Sequence, residues 1–241
     1  MSYDLGKALK ALRALLENPD DTAQAFRIIE ALPGGAPARN LRRFAKTEVG
    51  ARLLAERGSL LAVLGNARQL STLPANSLGR AYLDFMRDEG ISADGLVEAS
   101  AVGHHERRRR PPTTDAEVLE DRMRDSHDLW HVVTGYRGDL VGEAALLAFA
   151  FAQTRHPGVG LMVLGSLLQA TLTPNDAVTV DVDPRRVIVE GFWRGLRCEW
   201  LVAQDWESLL PQPLDEVRKR LRLGTPPHYT PVRASEIQLA A

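Results

Sequence analysis

Apolar positions recur at spacings of three and four along almost the whole chain, as in helices that bury one face. In residues 4–17, Leu5, Ala8, Leu9, Leu12, Leu15 and Leu16 form one face, and Asn18-Pro19 ends it. A shorter helix begins near Asp21, carries Phe26, Ile28, Ile29 and Leu32, and stops at Pro33-Gly34-Gly35. Residues 38–57 hold one or two polar helices. Asn76-Ser77 caps a helix through Met86, with Leu78, Tyr82 and Phe85 inside. Residues 87–112 read as irregular. Thr114 and Glu117 form a capping box for a helix to Thr134, about 30 Å long. Gly135 and Gly138 break it, and Asp139 caps the next helix, which runs to Arg155. Residues 159–170 are nearly all apolar, enough for a buried or membrane-facing helix and too few to span a bilayer. Val178, Val180 and Val182 alternate with polar residues, predicting an extended segment or a frayed helix start. Asp183-Pro184 opens a long helix to about Leu210 that carries Trp200 and Trp206, and Pro213 opens a last basic one. The pattern predicts an all-α, single-domain multi-helix bundle with no substantial sheet.

Composition narrows the function classes. Of 241 residues, 44% are hydrophobic and 25% charged, which supports a packed core. Lys plus Arg number 30 against 31 Asp plus Glu, a net charge of -1, so no dedicated nucleic-acid binder is expected. One cysteine, Cys198, excludes an internal disulfide and any cysteine-cluster metal site. Asp4, Glu17, Asp20 and Asp21 argue against an acid-poor presequence, and no signal peptide is evident. The expectation is a cytoplasmic protein, peripheral on the cytosolic face of an inner membrane.

The chemistry gathers at His127-Asp128-Leu129-Trp130-His131, followed by eleven residues and then Glu143. His127 and His131 are four apart and share a helix face, with Asp128 able to lean toward it. Glu143 sits in the first turn of the next helix, where the dipole favours a carboxylate. If the glycine-containing turn folds that helix back, His127, Asp128, His131 and Glu143 converge as two nitrogens and two oxygens. Such a set suits a divalent metal with room for water or substrate. Zinc is the default, with iron, cobalt or manganese as alternatives. Leu129 and Trp130 read as core.

The string HDLWHVVTGYRGDLVGE resembles the signature of the coenzyme Q biosynthesis protein 4 family, and LSTLPANSLGRAYLDFM (70–86) is similar to its Leu-Pro-x-x-Ser-Leu-Gly-Arg-x-Tyr segment. The tail from Phe192 through Gly224-Thr225-Pro226-Pro227 also resembles its closing helices. The likeness covers roughly residues 38–228, leaving residues 1–37 as N-terminal helices outside it and 229–241 as a tail. It implies an all-helical ubiquinone-biosynthesis protein with an apolar groove for a polyprenylated aromatic lipid, peripheral membrane contact and other enzymes of the pathway as partners. It also implies His127, Asp128, His131 and Glu143 as metal ligands. The implied reaction is metal-dependent removal of the ring carboxyl of a polyprenylated 4-hydroxybenzoate, in some accounts with ring hydroxylation. The chain lacks the targeting peptide of mitochondrial members, which suggests a bacterial one.

Phe149, Phe151, the run 159–168 that includes Met162, and Phe192 and Trp193 could line the lipid trough, or simply be core. Arg80 is either a structural ion-pair partner or a holder of a substrate anion. Arg107, Arg108, Arg109 and Arg110 form a basic run that is either a solvated loop or a dock on an anionic membrane. A homodimer is allowed. Two rival readings are a non-catalytic lipid-binding scaffold and a metallohydrolase. The second is disfavoured because zinc proteases place a Glu directly after the first His, where this chain has Asp128.

Overall fold

The computed structural model describes residues 3–90, 111–172 and 182–232. Among these the chain is helical throughout, with one isolated antiparallel bridge, Ser77 to Pro213, and no sheet. The helices gather into two compact units, each discontinuous in sequence.

The first unit draws on residues 1–36, 135–197 and 225–241. It contains α1 (Leu5–Glu17) and α2 (Ala23–Ala31) from the start of the chain. The apolar α10 (Leu140–Thr154), α11 (Pro157–Leu172) and α12 (Pro184–Arg197) complete it. Helix α10 packs along α12 at backbone contact. A Cβ on Gly191 would lie 2.3 Å from the Ala145 carbonyl oxygen, and one on Gly195 2.6 Å from that of Phe149. Both pairs are four apart, so a two-step glycine ridge on α12 seats against α10. Ala11, Ile28, Val159 and Met162 join α1, α2 and α11 in one cluster.

The second unit draws on residues 37–134 and 198–224. It holds α3 (Ala36–Phe44), α4 (Glu48–Glu56), α5 (Leu60–Leu64), α6 (Ala67–Ser71) and α7 (Leu78–Glu89). It also holds α8 (Asp115–Asp125), α9 (His127–Thr134), a 3-10 turn (Leu201–Ala203), α13 (Trp206–Leu209) and α14 (Leu214–Arg220). The first amides of α7 have no partner within the helix. Leu78 N donates to Gln212 O and Gly79 N to Leu210 O, both at 2.8 Å, while Leu214 N returns a bond to Asn76 O. Buried Arg122 of α8 makes a two-pronged pair with Glu207 and also reaches Gln204 O.

The caps expected at Ser77, Thr114 and Asp139 form, with the complete capping box at Thr114 and Glu117. Two expected long helices do not. The helix from Thr114 breaks after Asp125, because buried Asp125 pairs with Arg124 and buried Ser126 turns its hydroxyl to Met123 O. Such short polar side chains compete with the helical ladder. The helix from Pro184 ends at Arg197, not near Leu210, because the following residues pair elsewhere: Glu199 N donates to Leu221 O, and Trp200 lies under the Arg43 guanidinium. Trp206 is therefore a fully buried anchor of α13. Of the Val178–Val182 segment only Val182 is among the described residues.

The glycine ridge yields a stability prediction. Gly191→Ala forces α12 off α10 and lowers unfolding free energy by about 1–3 kcal/mol, the usual range for overpacking. Gly6→Ala, whose new methyl meets only Asp4 Oδ1 at 3.7 Å, is neutral or stabilising by up to about 1 kcal/mol. Urea titrations followed by circular dichroism check both signs.

Candidate metal centre

Helix α9 is short and nearly all of it is buried: Asp128 through Thr134 are inside, with only His127 half-exposed. Leu129, Trp130, Val132 and Val133 commit its apolar side to the core. Its end is well tied. Thr134 Oγ1 donates to Trp130 O at 2.6 Å, and the Arg218 guanidinium donates to Val132 O and Val133 O at 3.0 and 3.1 Å. A cation at these last carbonyls also suits the helix dipole.

The polar side of α9 carries the histidines. Their ring centroids are 4.8 Å apart at 74°. His131 is 2% exposed and stacks on Phe85 of α7, with centroids 5.3 Å apart and planes 19° from parallel. Asp128 Oδ1 lies 3.1 Å from His127 Nδ1, a contact that fixes the orientation of that ring. Tyr82 of α7 is buried nearby. Its phenol is pushed well above the ordinary value, chiefly by burial and then by the carboxylates of Asp128 and Asp125.

Glu143 stands in the first turn of α10, one residue after amides capped by Asp139, whose Oδ1 accepts from Val141 N and Gly142 N. His127 and His131 offer two imidazoles on one side of α9, and Glu143 offers a carboxylate in the first turn of α10. Asp128 engages His127 and is 5% exposed. The donor chemistry fits a divalent cation: two imidazoles and one carboxylate are the ligands of one type of catalytic zinc site, which keeps its fourth position open.

The remaining expected site residues separate. Arg80 donates to Ser71 O at 2.7 Å and so caps α6. Phe149 and Met162 are fully buried core. Phe151, Phe192 and the half-exposed Trp193 make a ladder of rings, with Arg155 over Phe192 and Arg197 over Trp193. Arg107, Arg108, Arg109 and Arg110 lie outside the described residues. Sequence reasoning left Tyr82 and Phe85 as core and did not single out Arg218. The three-residue spacing of Tyr82 and Phe85 on α7 was the available signal for the first two.

Residues 11–227 match the family model described as coenzyme Q (ubiquinone) biosynthesis protein Coq4, so the likeness reaches back into α1, well before residue 38. A Candida tropicalis relative, "Ubiquinone biosynthesis protein COQ4, mitochondrial", is 26% identical over 80% of this chain and 57% of its own length. Its counterpart from Aspergillus fumigatus is 29% identical over 76% of this chain and 59% of its own length. The chain thus spans about three-fifths of these curated relatives. A crystal structure of a Nostoc punctiforme PCC 73102 protein superposes with a TM-score of 0.64 at 22% identity, covering 93% of this chain and all of that one, and shares the fold. The expected cytoplasmic, bacterial-type placement is overturned, because the curated relatives are named as mitochondrial. Of the acidic residues near Met1, Asp4 caps α1 and Glu17 ends it, while Asp20 and Asp21 lie in the turn before α2, so their places follow from the fold. No helix among the described residues is long and apolar enough to cross a membrane. The match over residues 11–227 places this chain in the Coq4 family of coenzyme Q (ubiquinone) biosynthesis proteins.

Proposed function

We propose that this ubiquinone-biosynthesis protein is a metal-dependent carboxy-lyase that removes the ring carboxyl of a polyprenylated 4-hydroxybenzoate. The observation that carries the reading is the His127–His131 pair on α9, followed at motif spacing by Glu143, in a member of this family. Those three side chains would hold a divalent cation, zinc by default. The cation would supply Lewis acidity, stabilising the negative charge that builds on the ring as carbon dioxide leaves. The protein's own residues prepare for that task. Asp128 orients His127 through Nδ1, and Phe85 fixes the plane of His131. Burial of His131 and Asp128 keeps bulk water from that side of the site.

The lipid half of the reading rests on surface chemistry. Helix α11 has no charged residue and exposes Leu164, Leu168 and Leu172, a stripe at four-residue spacing. Helix α12 exposes Val189, Trp193 and Leu196 beside Arg185, Arg186, Arg194 and Arg197. Apolar stripes with neighbouring arginines suit peripheral contact with an anionic lipid surface. Docking there would bring the protein to a polyprenyl substrate and to the other enzymes of the pathway. The scaffold alternative draws on the same stripes but has no use for the paired histidines.

Two outcomes test these proposals. Purified protein is assayed on a prenylated 4-hydroxybenzoate with and without added metal, and the ring product is read by mass spectrometry. His131→Ala and Glu143→Gln lose both bound metal and product, whereas Asp128→Asn keeps metal with affinity lowered by about 10–100-fold. Full metal retention in the first two variants removes the coordination reading, and retained product removes the catalytic one. In vesicle flotation with anionic lipid, Leu168→Glu weakens binding by about 10–100-fold, since one buried leucine contributes about 1.5–3 kcal/mol. Unchanged flotation of Leu168→Glu and Trp193→Ser removes the lipid-surface reading.

A further inference from the structure

The segment after the family match is tied to the turn that carries Glu143. The family model ends at residue 227, yet Tyr229 and Val232 both reach Asp139. Asp139 is 4% exposed, and its carboxylate accepts four hydrogen bonds. Oδ1 takes Val141 N, Gly142 N and Val232 N at 3.0, 3.3 and 3.0 Å, and Oδ2 takes the Tyr229 hydroxyl at 2.8 Å. Leu140 N closes the loop by donating to Val232 O at 2.9 Å. The Tyr229 hydroxyl in turn accepts from Arg137 N at 2.9 Å, so one phenol joins both sides of the helix start. Burial, with the Asp139 carboxylate adding to it, keeps that phenol protonated and able to donate.

The next residue shows how closely the parts fit. Gly142 directly precedes Glu143, and a Cβ there would lie 2.1 Å from Arg137 O and 2.5 Å from the Tyr229 hydroxyl. Glu143 N itself donates to Asp139 O at 2.8 Å, the first complete helical bond of α10. The turn that carries Glu143 is thus held through Asp139, and half of the donors to the Asp139 carboxylate come from the tail.

We infer that Tyr229 and Asp139 are positioning residues for Glu143, and that residues 229–232 act as a strap that presets this carboxylate. The inference rests on the metal-binding reading above. Supporting groups around metal ligands commonly alter affinity by about 10–100-fold, because they fix ligand direction before the ion arrives.

The test uses the full chain with Zn2+ alone as the probe, by competition with a chromophoric chelator at a temperature where every variant is folded. Tyr229→Phe, which deletes only the hydroxyl, and Asp139→Asn each lower Zn2+ affinity by about tenfold or more. Both also speed amide hydrogen exchange at residues 141–144 in metal-free protein. Gln153→Ala removes a bond from α10 to Gly195 O and serves as a control that lowers the melting temperature without moving affinity. Affinity within twofold of wild type in Tyr229→Phe, with His131→Ala abolishing binding, overturns the strap and leaves the metal reading intact. Wild-type protein that takes up no Zn2+ overturns both.

Discussion

The amides at the start of a buried helix must be answered, because water cannot reach them and an unmade hydrogen bond there costs about 1–3 kcal/mol. At α10 Asp139 answers three of the first four amides, and Val232 O takes Leu140 N. Asp139 satisfies Val141 and Gly142 directly, and its backbone carbonyl receives Glu143 N. If that cap loosened, the first turn would fray, and the first turn is where the helix carries its acid. The remainder of α10 has no freedom to compensate, since the glycine ridge of α12 fixes its backbone at Ala145 and Phe149. The position of Glu143 is therefore set from both directions along the same helix.

A different constraint governs α9. Burying imidazoles and a carboxylate is costly unless they have partners. Here the partners come from within the group and from the neighbouring helix: Asp128 engages His127, and Phe85 covers one face of His131. The histidines consequently have little rotational choice. Arg218 and Thr134 take the last carbonyls of the helix, so its terminus is satisfied as well. A helix of eight residues gains little from propagation alone, and such anchors are what hold it in place.

The features legible in the sequence are those decided by near neighbours. Thr114 with Glu117, Ser77, and Asp139 are caps written within four residues, and all three form. The pairing of His127 with His131 needs only the helical period, and it too is realised. Features decided by distant partners were hidden. The break at Ser126 depends on the burial of Asp125 and Ser126. The stop at Arg197 depends on Glu199 finding Leu221, and the short helices α5 and α6 lie in a stretch where no strong period stands out. Tyr229 was not legible within the tail because its hydrogen-bond partners lie about ninety positions earlier. Compartment was not legible at all, because folding physics and cellular address are separate matters.

The composition of α10 explains why its acid stands where it does. Glu143 is the one ionisable residue among the fifteen from Leu140 to Thr154. Beyond the first turn, Ala144, Ala145, Leu146, Ala148 and Phe149 are buried, so a second charge there would be desolvated against apolar neighbours. At the N-terminal turn a carboxylate is favoured by the dipole. The packing demands of the helix thus confine its chemistry to one end, and the only acid it can carry is the one the Asp139 cap holds in place.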